Sequence, residues 1–425
     1  MLRIRMYLLL VGLLPVWLLG QPADFVVVKP ATQGFAPKKL AAVDDLLQTA
    51  VDSQWVAGAV ALVARRGEIV YEKAFGYRNL ESQDPMETGD LFRIASMTKP
   101  ITSLAALQLY EQRGINFSDP VGRYLPSFEE AQVLDSLHPD GSWEAHPADE
   151  EVTIHHLLTH TSGISYAFSD PLMRQIYGPA GIIELTTPEP VRLETNIAKL
   201  GTLPLKHEPG AAWTYGLSVD VLGRVIEVSA GEPLDVFFRT HIFEPLGMED
   251  TDFYLEADQA DRLTSLYGNH PQAKLFPYPN DGSRGFPGDY PLMGAQTYFS
   301  GGAGLVSTAR DYLRFCQAIL NGGELFGQRI IEAETLQHML ENKIGDLRVG
   351  TDLFSYGFAI TPAGTDLPYG RRPGRLSWSG YFQTLFWIDQ EREVVGILLT
   401  QVVPSSYRDR LFHGFEAAVN AAIKE

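Results

Sequence analysis

The stretch Arg93-Ile94-Ala95-Ser96-Met97-Thr98-Lys99-Pro100 contains a serine and a lysine three residues apart, at the predicted start of a helix. Residues at this spacing lie on one face of a helix, so the hydroxyl and the amine can share a proton. Serine is a weak nucleophile until a neighbouring base accepts its proton, and a buried lysine kept neutral can be that base. The bare pattern leaves a catalytic serine and a helix-capping serine equally open.

The sequence on either side of this pattern favours a catalytic serine. Residues 91–102 resemble the nucleophile segment of the serine β-lactamase and penicillin-binding protein superfamily, in its class C and esterase branch. Further matches follow in the expected order, at residues 154–163, 209–223, 243–248 and 300–305. Each match alone is weak, but together they are specific to this superfamily.

The resemblance implies roles for individual residues. Ser96 would be the nucleophile and Lys99 its partner, while Tyr215 would act as a base toward Ser96 and later as an acid toward the leaving group. Without the resemblance, Tyr215 is one more aromatic residue near a glycine turn. The backbone N–H groups of Ser96 and Tyr381 would form the oxyanion hole.

Two motifs depart from the β-lactamase pattern. The second motif is Tyr215-Gly216-Leu217, where β-lactamases usually have Tyr-x-Asn. The third is Trp378-Ser379-Gly380, where a lysine or histidine usually precedes Thr/Ser-Gly. A tryptophan at this place is similar to the family VIII carboxylesterases. A substrate site without that cation favours neutral acyl substrates such as small esters. Three arginines are candidates for a substitute cation: Arg371, Arg372 and Arg375.

We therefore expect an exported serine hydrolase that cleaves ester or related acyl bonds through an acyl-enzyme on Ser96. The binding site for the small-molecule acyl substrate would include Trp378, Ser379, Gly380 and Tyr381. Two alternatives stay open. One is a β-lactamase or D-alanyl-D-alanine carboxypeptidase activity, and the other is a non-catalytic ligand-binding relative. We expect no cofactor and no metal.

Other motifs are set aside. Ser165 lies in the nearest approach to Gly-x-Ser-x-Gly, but it follows a helix-like run instead of a strand. His156 and His160 have the spacing of a zinc-binding pair, without the glutamate or a third ligand. Asp220 is more simply interpreted as a capping or packing residue than as a triad acid. Cys316 lies on an apolar helical stripe, which indicates a buried structural thiol.

The composition limits the partners and the location. A formal net charge of −18 disfavours nucleic acid and anionic lipid surfaces as partners. Arg3 and Arg5 precede a short apolar run, which is the layout of a signal peptide over residues 1–23. We therefore expect export, to the periplasm or beyond, and no integral membrane segment in the mature chain. An uncleaved N-terminal anchor remains the alternative, and the oligomeric state is left open.

The order of strand-like and helix-like segments predicts an α+β fold of the β-lactamase/D,D-peptidase type. Strand patterns lie at both ends of the chain, and helical patterns lie between them. We predict an antiparallel sheet domain from residues 35–117 and 300–425, flanked by helices. Residues 118–299 are predicted to be an inserted helical domain with long loops. The run at 267–291, rich in proline, glycine and aromatic residues, would be a long loop that lines the site.

Overall fold

The computed structural model describes residues 24–270, 273–282, 286–364 and 367–424. The predicted signal peptide lies outside the described residues. Eight strands form one antiparallel sheet in the order β12-β13-β14-β15-β16-β1-β2-β3. The strands of the described residues are β1 (Gly58–Arg65), β2 (Glu68–Asn79), β3 (Asp84–Pro85), β4 (Phe92–Arg93), β5 (Gln132–Leu137), β6 (Trp143–Pro147), β7 (Tyr267–His270), β8 (Ala273–Pro277), β9 (Val306–Ser307), β10 (Glu324–Leu325), β11 (Gln328–Arg329), β12 (Leu353–Phe354), β13 (Ala359–Ile360), β14 (Leu376–Gly380), β15 (Thr384–Asp389) and β16 (Val394–Leu399).

Helices cover both faces of this sheet. Those in the described residues are α1 (Pro37–Leu40), α2 (Ala42–Asp52), α3 (Thr98–Glu111), α4 (Ile154–Thr159), α5 (Pro171–Tyr177), α6 (Leu193–Leu200), α7 (Ser218–Ala230), α8 (Leu234–Phe238), α9 (Glu244–Leu246), α10 (Ala309–Leu320), α11 (Ala333–Leu340) and α12 (Arg408–Ala422). None of them is long and apolar enough to cross a membrane.

Strand β1 shows why the sheet needs helices on both sides. Its alternate residues Val60 and Leu62 join the core under α3 and α10, while Ala61 and Val63 join the core under α2 and α12. Successive side chains of a strand point to opposite faces, so a strand covered on both faces is apolar throughout. The continuous apolar runs in β1 and β16 follow from this three-layer arrangement.

The predicted fold class is confirmed, because the sheet joins strands from both ends of the chain. Cys316 on α10 is buried in the core, as predicted. The apolar run at 376–388 was expected to be one strand-like segment and instead forms β14 and β15, which pair with each other. The dipeptide Ser379-Gly380 at the end of β14 is a turn signal, which the expectation of a single run did not use.

The middle of the chain is less purely helical than predicted. It contains two hairpins, β5–β6 and β7–β8, and the second lies inside the segment expected to be a long loop. The predicted domain boundaries stay a prediction.

A glycine in the centre of the sheet offers a test of this packing. Gly396 on β16 lies opposite Trp387 on β15, and a Cβ at Gly396 would lie 2.2 Å from the Trp387 ring. Gly396→Ala must displace that indole from Phe415, so we expect the free energy of unfolding to fall by about 1–3 kcal/mol. Urea denaturation measures this loss.

Gly89→Ala is the matched control, because a Cβ at Gly89 meets no atom within 4 Å. Both substitutions reduce the entropy of the unfolded chain in the same way. Equal urea midpoints for the two variants would contradict the packing described for β15 and β16.

Candidate active site

Ser96 lies in a single 3-10 turn, Ala95–Met97, that leads directly into α3. Ala95 has a φ of 44°, in the left-handed region that residues other than glycine seldom adopt. Such strain persists only where the surrounding structure enforces it, and it is common beside functional residues. The Ser96 side chain is half-buried, so its hydroxyl stands at the boundary between core and solvent.

Two pairings hold the segment before Ser96. Strand β4 pairs with β9, and the Ile94 N–H donates to the Leu305 carbonyl, so this segment runs beside residues 305–307. On the other side, a Cβ at Gly380 would lie 2.3 Å from the Ile94 carbonyl oxygen. The backbone at the end of β14 therefore lies directly against the turn that carries Ser96, which only a glycine at this position permits.

Lys99 is the centre of the predicted constellation. It occupies the first turn of α3 and is 1 % exposed. Its Nζ lies 3.2 Å from Ser96 Oγ, 3.1 Å from the Tyr166 hydroxyl and 2.7 Å from the Gly302 carbonyl oxygen. A carbonyl only accepts hydrogen bonds, so Gly302 fixes one N–H and leaves the amine aimed at the two hydroxyls.

The structure brings Tyr215 to this lysine from a distant part of the sequence. Tyr215 lies just before helix α7 begins. The centre of its ring is 4.6 Å from Lys99 Nζ. The ring stacks on Trp213 and is tilted against Trp378. The structure thus brings the Ser96 hydroxyl and the Tyr215 ring to the Lys99 amine, while the approach of the Tyr215 hydroxyl to Ser96 and the catalytic roles stay predictions.

Tyr166 was missed by the sequence reasoning. It is 1 % exposed, and its hydroxyl contacts Lys99 directly. Burial raises the pKa of Tyr166 well above its ordinary value, and the negative charge of Asp220 adds to the shift. Its neighbour Ser165, which was weighed as a nucleophile, instead donates its hydroxyl to Asp170 at the start of α5.

Asp220 anchors the loop that holds Lys99. Its Oδ1 accepts hydrogen bonds from the Ser300 hydroxyl and from the Gly302 N–H. A Cβ at Gly302 would lie 2.2 Å from the other oxygen of this carboxyl group. Burial raises the pKa of Asp220, while the Lys99 charge lowers it. Asp220 thus positions the Gly302 carbonyl, which agrees with its interpretation as a packing residue.

Trp378 forms an aromatic wall beside Tyr215. The centres of the two rings are 5.6 Å apart, and Trp378 also contacts Phe354 at 5.3 Å. Its indole nitrogen has no hydrogen-bond partner among the described residues. The position that carries a cation in β-lactamases therefore presents an apolar ring with one unused N–H donor.

Two of the arginines considered as substitute cations form ion pairs with a buried glutamate. Arg371 pairs with Glu416 at 2.9 Å, and Arg375 pairs with the same carboxylate at 2.6 Å. Glu416 is 1 % exposed, so these pairs are shielded from solvent. Both guanidinium groups are therefore held by one carboxylate on α12, which balances one of their two charges, and a role for either as the substitute cation stays a prediction.

The histidines of the predicted pattern are structural. The His156 side chain takes part in the capping box at the start of α4. His160 is buried, and its ring lies 4.9 Å from the Tyr215 ring. Burial, with the Lys99 charge, lowers the pKa of His160 well below its ordinary value. Within the described residues, no group of three or more His, Cys, Asp or Glu side chains is arranged to hold a metal.

A cavity of about 650 Å³ opens beside the predicted oxyanion-hole residue Tyr381. The Tyr381 ring lies 5.6 Å from Phe168, which in turn packs on Tyr166 at 4.8 Å. Arg93 binds the Gly288 carbonyl and so holds the adjoining loop, part of the 267–291 run expected to line the site. The apolar side chains that line the cavity include Phe168, Ile182, Leu185, Phe286, Met293 and Tyr381.

The contact between Tyr166 and Lys99 gives a direct prediction. Tyr166→Phe removes one of three oxygens around the amine, and leaving a buried polar group without its partner costs about 1–3 kcal/mol. We expect kcat/KM for 4-nitrophenyl butyrate to fall about 10- to 100-fold. Tyr177→Phe is the control, since Tyr177 is equally buried and its hydroxyl is hydrogen-bonded to the Ser165 backbone instead of to Lys99. Similar losses in both variants would contradict a specific role for Tyr166.

Comparison with known proteins places this geometry in a family. The Beta-lactamase family model matches residues 43–418. Esterase EstB of Burkholderia gladioli is 33 % identical over 380 residues, which cover 85 % of this chain and 90 % of that protein. The lovastatin esterase of Penicillium rubens is 30 % identical, with 85 % of this chain and 92 % of that protein covered.

Among solved structures, the chain is similar to EstCE1, described as a hydrolase with promiscuous acyltransferase activity. The TM-score is 0.73 at 30 % identity, and the match covers 90 % of this chain and 99 % of that one. The family resemblance predicted from the motifs around Ser96 is thereby confirmed: the chain belongs to the Beta-lactamase family, within the superfamily of serine hydrolases that share this fold.

Proposed function

We propose that this chain hydrolyses esters of neutral acyl groups through a covalent acyl-enzyme on Ser96. The observation that carries the proposal is the contact of the Lys99 amine with the Ser96 hydroxyl, next to Tyr215 and to an aromatic Trp378. A buried amine beside a hydroxyl is the arrangement that activates a serine. The esterase names of EstB and the lovastatin esterase support the same reaction class.

The reaction proceeds in two balanced steps. Ser96 Oγ attacks the ester carbonyl while its proton passes to the Lys99 and Tyr215 pair, and the same pair returns a proton to the departing alcohol as its C–O bond breaks. A water molecule then attacks the acyl-enzyme, and the carboxylic acid leaves as Ser96 regains its proton. The backbone N–H groups of Ser96 and Tyr381 are the donors proposed for the developing oxyanion.

The departures from the β-lactamase motifs favour esters over β-lactams. Leu217 stands in place of the asparagine that holds an amide side chain, and Trp378 in place of the motif cation. The cavity beside Tyr381 and Phe168 is the proposed binding site for the acyl group; its lining is mostly apolar and includes Glu184, Asp281 and Asp289. Transfer of the acyl group to an alcohol instead of water is a second candidate, supported by the description of EstCE1.

Ester hydrolysis by matched serine variants tests the proposal. We expect Ser96→Ala to lower kcat/KM for 4-nitrophenyl acetate and butyrate at least about 1,000-fold, since the nucleophile is lost. Tyr215→Phe should cost about 10²- to 10⁴-fold through lost proton transfer. Ser165→Ala is the control, because that hydroxyl binds Asp170. Added methanol reveals acyl transfer as methyl ester product.

Three outcomes would contradict the proposal. Equal ester hydrolysis by wild type and Ser96→Ala would remove the assigned nucleophile. Rapid nitrocefin turnover with inertness toward both esters would favour the β-lactamase alternative. Failure to turn over any of these compounds would favour the non-catalytic ligand-binding alternative.

We also propose that the mature chain is exported. The support is the order of Arg3, Arg5 and a short apolar run at the start of the chain. Expression of the full sequence in a bacterial host, followed by fractionation and N-terminal mass spectrometry, tests this. We expect a product in the periplasm or medium that begins shortly after Gly20. An intact N-terminus in the membrane fraction would establish the uncleaved anchor instead.

A further inference from the structure

Asp220 is a carboxyl group in the interior of the protein, in the first turn of helix α7. Its side chain is completely buried. Its Oδ1 accepts one hydrogen bond from the Ser300 hydroxyl and another from the Gly302 N–H. Hydrogen bonds that a carboxyl oxygen accepts favour the charged form of the group. These two contacts therefore hold a negative charge at Asp220, away from solvent.

A single glycine separates this carboxylate from the Lys99 amine. The Gly302 N–H donates to Asp220, and the Gly302 carbonyl oxygen accepts from Lys99 Nζ at 2.7 Å. A Cβ at Gly302 would lie 2.2 Å from Asp220 Oδ2, so a larger residue would push the carboxylate away. The carboxylate and the amine thus contact the same residue, one through its N–H and the other through its carbonyl.

The charges of Asp220 and Lys99 act on each other across this glycine. Burial raises the pKa of Asp220, and the Lys99 charge opposes that rise. Asp220 Oδ2 has no hydrogen-bond partner among the described residues. Attraction between two charges is mutual, so the carboxylate also favours the ammonium form of Lys99. The effect is strong in the core, because little water is present to screen it.

The other titratable groups near Asp220 are acidic groups and carry no positive charge. Burial raises the pKa values of Tyr166 and Tyr298 well above the ordinary value, and the Asp220 charge adds to both shifts. Burial also raises the pKa of Glu184, and Asp220 contributes to this rise. None of these three groups can neutralise the carboxylate of Asp220.

The groups that face Lys99 leave Asp220 as the anion that acts on it. The Tyr166 hydroxyl lies 3.1 Å from Nζ, and the centre of the Tyr215 ring lies 4.6 Å away. Burial, with the Lys99 charge, keeps the pKa of His160 well below its ordinary value, so this ring is neutral. Within the described residues that contact Lys99 or its Gly302 partner, Asp220 is the one carboxylate.

We propose that the buried charge of Asp220 stabilises the ammonium form of Lys99, which makes Asp220 a positioning residue for the proton that leaves Ser96. This inference rests on the proposed ester hydrolysis. When the Ser96 O–H bond breaks, the proton forms a new N–H bond on the neutral amine of Lys99. The ammonium group that results faces the Asp220 carboxylate across Gly302, so proton transfer is favoured although Asp220 never touches the substrate.

An asparagine at position 220 separates this role from a purely structural one. The side chain of asparagine has the shape of aspartate, and its oxygen can still accept from Ser300 and Gly302. Asp220→Asn therefore keeps the contacts that hold the Gly302 loop and removes the negative charge. A structural role survives this substitution, whereas an effect on the proton of Lys99 does not.

The pH dependence of kcat/KM for 4-nitrophenyl butyrate tests the proposal, because its acid limb reports the protonation of the base in the free enzyme. We expect the acid limb of Asp220→Asn to lie about one pH unit or more below that of the wild type, since the amine loses its proton more readily without the carboxylate. The highest kcat/KM should fall about 10- to 100-fold, because the amine is then a weaker base. The position of the limb does not depend on the fraction of protein that is folded.

Two further variants accompany this measurement. Ser300→Ala keeps the carboxylate and removes one donor that stabilises its charge, so we expect a smaller displacement in the same direction. This variant tests the proposal even where Asp220→Asn does not fold. Glu227→Gln is the matched control, because it removes another carboxylate of α7, one that pairs with Arg224. Its acid limb should coincide with that of the wild type.

Two results would overturn the inference. Acid limbs at the wild-type pH in both Asp220→Asn and Ser300→Ala would mean that Asp220 only shapes the Gly302 loop. A displacement to higher pH would contradict a carboxylate that stabilises the ammonium group. Either result leaves hydrolysis dependent on Ser96, whereas undiminished turnover by Ser96→Ala would contradict the proposed function itself.

Discussion

The amine of Lys99 lies among three oxygens in the core of the protein, and the site is arranged around this contact. Burying an amine is costly unless its donors are satisfied. Gly302 supplies a carbonyl, while Ser96 and Tyr166 supply hydroxyls that can donate or accept, so the buried nitrogen has three hydrogen-bond partners. Because the carbonyl can only accept, the geometry of the other two contacts is fixed, and the nucleophile candidate is one of them.

Each of these oxygens is held by a different part of the chain. The Gly302 carbonyl is positioned by Asp220 on α7, whose carboxylate accepts a hydrogen bond from the Gly302 N–H. Ser96 depends on the β4–β9 pairing and on the close approach of Gly380. Strands from both chain ends and helices from the middle therefore meet at one amine, and a change in any of these supports should alter the site without touching a reacting atom.

The sequence predicted what local geometry and family motifs determine. Ser96 and Lys99 share a helical turn, so their spacing alone brings the hydroxyl and amine together. The role of Tyr215 was predicted only from the family resemblance, because no local sequence pattern connects this residue with Lys99. Tyr166 carries no signal of its own, since its contact with Lys99 exists only after α3 and the 160–166 segment pack together.

Charge partners were the least predictable feature. Arg371 and Arg375 were candidates for the missing cation because they lie near the third motif in sequence, yet Glu416 reaches them from α12. Arg408 lies in an exposed, charged helix start and gives no sequence sign of its contact with Ser379. Both outcomes depend on how α12 docks on the sheet, which a single sequence does not reveal.

Covalent labelling with a fluorophosphonate, followed by peptide mass spectrometry, tests the central claim most directly. The account predicts one adduct, on Ser96, that forms much more slowly in Lys99→Met because the amine no longer activates the hydroxyl. An adduct on Ser165, or labelling of Ser96 at the same rate in both proteins, would contradict it.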